Sequence, residues 1–143
     1  MCKMFKNVWL LILLVGSILA IYCYAQGNEE IMFSGVPAVK ISEGGVSRVV
    51  EDLKGAKVSE AECVITKTGD KYFWKTRNNT ELFMIKSGAF VSFIATNGSG
   101  YVRIIPSDFK EAASLMDETE KKYDYAEHLL IGLRSVTYYG KSK

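Results

Sequence analysis

The side chains best suited to holding a ligand fall in two short stretches. Tyr72, Trp74, Thr76 and Arg77 lie on or beside one apolar run, with Asn78 and Asn79 at its end, and Tyr101 and Arg103 stand at i and i+2 of another. Residues two apart on a strand share a face. If the two strands are close in a sheet, Trp74, Arg77, Tyr101 and Arg103 build an aromatic wall with cationic donors. Such a wall suits a carbohydrate ring, a peptide or a carboxylate. The ordinary reading stands beside it: aromatic residues favour strands, and arginine stacks on them without any ligand.

Catalysis finds less support. His128 is the single histidine. Ser135 lies seven residues on, near the same face if the segment is helical, but that spacing holds two side chains too far apart and too parallel for nucleophile activation. A histidine that packs its ring and bonds its tip is the simpler account. Glu51 and Asp52 are neighbours and point different ways. Glu118, Glu120, Asp124 and Glu127 interleave with Lys121 and Lys122, as on the wet face of a helix. No catalytic residue is assigned, and a small hydrolase using these carboxylates or His128 is kept as an alternative.

Metal and cofactor chemistry are excluded more firmly. Beyond residue 25 the chain has one histidine and one cysteine, Cys63, so no zinc cluster of Cys and His can form within one chain. Gly98 and Gly100 sit in a hairpin signal rather than before a helix, so there is no phosphate loop. Cys63 falls in the apolar run Cys63-Val64-Ile65 and reads as a buried small hydrophobe. Asn78-Asn79-Thr80 and Asn97-Gly98-Ser99 match glycosylation acceptors, although turn chemistry explains both.

The amino end carries the clearest signal. Lys3 and Lys6 precede an uncharged run from Val8 to Ala25, and Cys23-Tyr24-Ala25 places small residues where a cut before Gln26 would need them. This is the layout of an export signal. As a helix the run spans about 27 Å, close to a bilayer's hydrocarbon thickness, so a retained anchor is the alternative. Either way, the two lysines keep the N-terminus cytoplasmic and send the remainder across. The expected location is periplasmic, secreted or anchored on the outer face of the membrane, with membrane contact only through residues 8–25.

Of 18 basic residues, Lys3 and Lys6 belong to this leader, which leaves 16 against 16 acidic ones. A near-neutral domain has no electrostatic footprint for nucleic acid. The sequence divides into a leader (1–25), a flexible lead-in (26–35), one domain (36–140) and a disordered tail (141–143).

Within the domain, Val36–Ile41 reads as a short edge strand that tolerates Pro37. Ser42-Glu43-Gly44-Gly45 reads as a turn. Val46, Val49, Val50 and Leu53 have the spacing of a helix face, and Ser59–Glu62 of one helical turn. Then come Cys63–Lys67, Lys71–Arg77, Leu82–Lys86, Ala89–Thr96 and Tyr101–Ile105, separated by Thr68-Gly69-Asp70, Asn78-Asn79, Ser87-Gly88 and Asn97-Gly98-Ser99-Gly100. Leu82-Phe83-Met84-Ile85 and Phe90–Ala95 are apolar on both faces. The sheet must therefore be covered by helices, by curling into a barrel, or by a second subunit.

Pro106 stops the last strand. Phe109, Ala112, Ala113, Met116 and Tyr123 have helical spacing, and Asp124 with Glu127 resembles a cap for a further helix burying Leu129, Leu130 and Leu133. Val136–Tyr139 has strand character and ends at Gly140. The expectation is an α+β fold: an antiparallel meander of about five strands under two C-terminal helices. The expected function is a non-catalytic exported binding module for a protein, peptide or carbohydrate of the envelope. Self-association into a homo-oligomeric structural subunit is the other alternative.

Overall fold

The computed structural model describes residues 27–54, 62–106 and 120–143. The apolar run 8–25, residues 59–61 of the predicted helical turn and residues 107–119 of the first predicted C-terminal helix lie outside the described residues. What is described is almost entirely strand: β1 (Glu30–Gly44), β2 (Ser47–Asp52), β3 (Cys63–Thr68), β4 (Lys71–Trp74), β5 (Thr80–Ser87), β6 (Phe90–Ala95), β7 (Gly100–Ile104), β8 (Tyr125–Ile131) and β9 (Arg134–Ser142). All pairings are antiparallel, in the order β2-β1-β3-β4-β5-β6-β7-β8-β9, and β1 also pairs with β9. That last pairing closes eight strands into an up-and-down barrel, with β2 folded back as an extra strand beside the second half of β1.

The α+β expectation is thus overturned. Of the ways to cover a sheet that is apolar on both faces, the chain curls. The second predicted helix is a strand, because Tyr125, Glu127 and Leu129 point inward with period two while their backbone pairs with β7 and β9. Before it, Glu120–Lys122 forms a single 3-10 turn. The residues Ala126-Glu127-His128-Leu129-Leu130 favour helix when isolated, and the two flanking strands override that preference.

The predicted helix at Val46–Leu53 is β2. Its turn is Gly45-Val46 between the paired Gly44 and Ser47, with Gly45 at positive φ, two residues later than the Ser42–Gly45 turn expected from the sequence. Pro37 lies inside the long β1 rather than on an edge strand, at a register shift against β9 that absorbs its missing N–H. The lead-in becomes strand from Glu30. Gly140 does not end β9, and in place of a loose tail the Lys143 amide donates to the Ser34 carbonyl.

The meander itself matches the sequence. Its turns use the residues their backbones demand: Gly69, Gly88 and Gly98 at positive φ, and Asn78 and Asn79 both in the left-handed region. The interior is built from Cys63, Ile65, Trp74, Leu82, Phe93, Ala95, Val102 and Tyr125, with Phe33, Tyr72 and Leu129 packed on them. Each alternates with an outward neighbour along its strand.

Candidate functional site

The barrel wall separates the four residues singled out in the sequence. Trp74 points inward and is fully buried. Arg77 follows on the β4–β5 turn and also reaches inward, to Glu127 on β8. Tyr101 and Arg103 are on β7, where the buried Val102 between them marks the inward direction, so they face out. The structure brings Trp74 together with Arg77, and Tyr101 with Arg103, on opposite sides of one sheet.

The inner group is the more unusual. Asn78 and Asn79 turn the chain tightly, with the Thr80 amide and hydroxyl both donating to the Arg77 carbonyl. This fixes the Arg77 backbone while its side chain enters the barrel. There Nη2 donates to Glu127 Oε2 at 3.0 Å, and the guanidinium lies 5.6 Å from the Tyr138 ring centre. The Arg77 side chain is 19% exposed and Glu127 not at all, so the arginine bridges from the rim to a buried carboxylate.

Two residues earlier on β8, Tyr125 crosses the interior against Gly35 and Gly140. A Cβ at either glycine would overlap its ring. Phe33 meets it edge-on at 5.2 Å.

Four buried polar atoms in this group have no hydrogen-bond partner: Trp74 Nε1, Arg77 Nε, Tyr125 Oη and Glu127 Oε1. They lie within one another's electrostatic reach. Burial pushes the Glu127 carboxyl up to about 7, against the lowering pull of the Arg77 charge and hydrogen bond and of the nearby Trp74 indole. That indole lowers it as a side-chain hydrogen-bond donor within reach of the carboxylate, although Nε1–H falls short of strict hydrogen-bond geometry. Burial also drives the Tyr125 hydroxyl and the Cys63 thiol well above their ordinary values, with the Glu127 charge adding to both. Cys63 is therefore a protonated packing residue, as its apolar run implied, and not a nucleophile. Leaving several buried polar groups unpaired costs about 1–3 kcal/mol each, so four in one place are met by ordered water, by a ligand, or by a small shift that completes a bond such as Trp74 to Glu127.

On the outer face, Tyr101 stacks on His128 with centres 5.1 Å apart and planes 24° from parallel, and the Arg103 guanidinium lies 5.8 Å from the Tyr101 ring. His128 shares a hydrogen bond with Thr137 Oγ1 at 2.9 Å through Nδ1. Its neighbour is thus Thr137 across the strand pair, rather than Ser135. Ile94 pairs with Tyr101, and the half-exposed Phe83 with Ile94.

Among the acidic residues, Glu51 pairs with Lys40 and Asp124 binds the Ser142 amide and the Lys141 ammonium. Among the described residues no group of His, Cys, Asp and Glu is arranged to hold a metal ion.

The sequence places Glu127 among solvated carboxylates and at the capped start of a helix, so its burial beside Tyr125 is not expected from that reading. Read with period two, Tyr125-x-Glu127-x-Leu129 places a carboxylate in the middle of an apolar face, and that is the signal that finds them. No family model, curated protein or solved structure matches the chain.

Proposed function

We propose that this chain is an exported, non-catalytic binding module whose barrel interior takes up one small, neutral, polar molecule. The observation that carries the proposal is the set of four unsatisfied buried atoms on Trp74, Arg77, Tyr125 and Glu127. Two are N–H donors, one is a carboxylate oxygen, and one is a hydroxyl that can donate or accept. With Glu127 ionised, above about pH 7, the Arg77–Glu127 pair balances its own charge. The occupant therefore needs acceptor oxygens for the two N–H groups and a donor for the carboxylate, with no net charge. A small polyol, a sugar fragment or a primary amide has that chemistry. An eight-stranded barrel leaves room for filling side chains or one small ligand. Export is supported by the basic head and apolar run of residues 3–25.

Trp74 is the natural reporter, since Trp9 is the only other tryptophan and Trp9→Phe removes its signal. Titration of that variant with polyols, sugars and primary amides should give a saturable change in Trp74 emission for one class. Tyr125→Phe, which deletes only the hydroxyl, should weaken binding by about tenfold. Absence of a saturable response to all three classes, with Trp74 emitting as a buried indole, would defeat the proposal. Turnover of a probe that is lost in His128→Ala would replace it with the hydrolase alternative.

A further inference from the structure

Among the described residues β2 is the one strand bonded to a single neighbouring strand. It pairs only with β1, and all six of its residues are exposed, Val49 to 51% and Val50 to 61%. We propose that this edge joins the β2 edge of a second copy of the chain, antiparallel, about a two-fold axis at Val50.

Backbone direction selects the register. The Leu53 amide donates to the Ala38 carbonyl on β1. Bonding direction alternates along an antiparallel strand, so Glu51, Val49 and Ser47 also bond toward β1. The amides and carbonyls of Arg48, Val50 and Asp52 then point away, into the free edge. These three residues also share one side-chain face. Pairing Val50 with Val50 of the second copy places Arg48 opposite Asp52 on one side of the axis and Asp52 opposite Arg48 on the other. Every free-edge residue then meets another, and each pair can exchange two backbone bonds.

A one-residue slip would set side chains on mismatched faces. A two-residue slip toward the turn would put Arg48 opposite Val50 and leave Asp52 without a free-edge partner. Exposed edges are commonly blunted by charge. Here the two charges are spaced to attract across a two-fold axis, as an isologous interface requires. Existing contacts leave both groups available. Arg48 holds Glu43 through Nε at 3.2 Å, which leaves its two outer nitrogens, and Asp52 accepts the Lys54 amide through Oδ1, which leaves Oδ2.

The test is the mass of the full chain in a mild nonionic detergent, by light scattering across a dilution series. The expected protein mass is twice 16.0 kDa, dissociating on dilution. Val50→Pro removes an N–H that the barrel does not use, so the fold should persist, checked by circular dichroism, while the dimer is lost. Arg48→Asp sets like charges against Asp52 and should raise the dissociation constant about tenfold, and adding Asp52→Arg to the same chain should restore it. A monomer at every concentration, or dimers of undiminished affinity in Val50→Pro or in Arg48→Asp, would overturn the proposal.

Discussion

Burial holds the Glu127 carboxyl near pH 7 even with the Arg77 guanidinium 3.0 Å away, so desolvation outweighs the ion pair. In the unfolded chain the same group titrates near 4.5. The folded state therefore binds the extra proton between those values. Stability from this group is fully present below about 4.5 and is lost as pH rises through about 7. Urea unfolding should show the barrel about 2 kcal/mol less stable at pH 8 than at pH 5, a conservative share of the shift, with the slope largely removed in Glu127→Gln. Arg77→Met leaves the carboxylate buried without its cation. It should cost about 3–5 kcal/mol at pH 8 and clearly less at pH 5, where the carboxyl is neutral. Trp74 and Arg77 were legible in the sequence as residues worth watching. Which way they faced was not, because sequence supplies a strand's alternation and leaves its inward side to the partners it finds.

At the scale of elements, the closing pair β1–β9 is the most constrained. Gly140 faces Pro37 across it, and a Cβ there would meet both the Val36 carbonyl and the Tyr125 ring. Gly140→Ala must part the two strands or displace the tyrosine. Thermal unfolding should show a loss of about 2 kcal/mol or more, whereas Gly88→Ala, with open space around its Cβ, should pay only for its positive φ. The meander from Cys63 to Ile104 was readable because its turns carry Asn and Gly where the backbone needs them. β2 and β8 were not. Val46, Val49, Val50 and Leu53 fit a helix face as well as an exposed strand, and the backbone pairing that decides between them comes from distant residues. Pro37 pointed to an edge because only a bulge admits proline inside a sheet, and a bulge has no residue signature of its own.

Closure at the scale of the whole molecule depends on the two ends of the described chain. β1 and β9 are far apart in sequence and meet over Gly35–Glu43 and Ser135–Ser142. Apolar residues on both faces of β5 and β6 required a cover and named a barrel among the choices. They could not choose it, since the closing strands were legible only as the short runs Val36–Ile41 and Val136–Tyr139, whose residues do not name each other as partners. Closure predicts that the β1 amides bonded to β9 exchange with deuterium as slowly as those of the β6–β7 pair. Fast exchange confined to β1 would indicate an open sheet. The interior that closure creates is the ligand site we propose, and a crystal structure of protein purified from its native source, at a resolution that resolves ordered water, tests it most directly. The account predicts density for a molecule larger than water, bonded to at least three of Trp74 Nε1, Arg77 Nε, Tyr125 Oη and Glu127 Oε1. Isolated waters there, or side chains turned so that the four atoms satisfy one another, would contradict it.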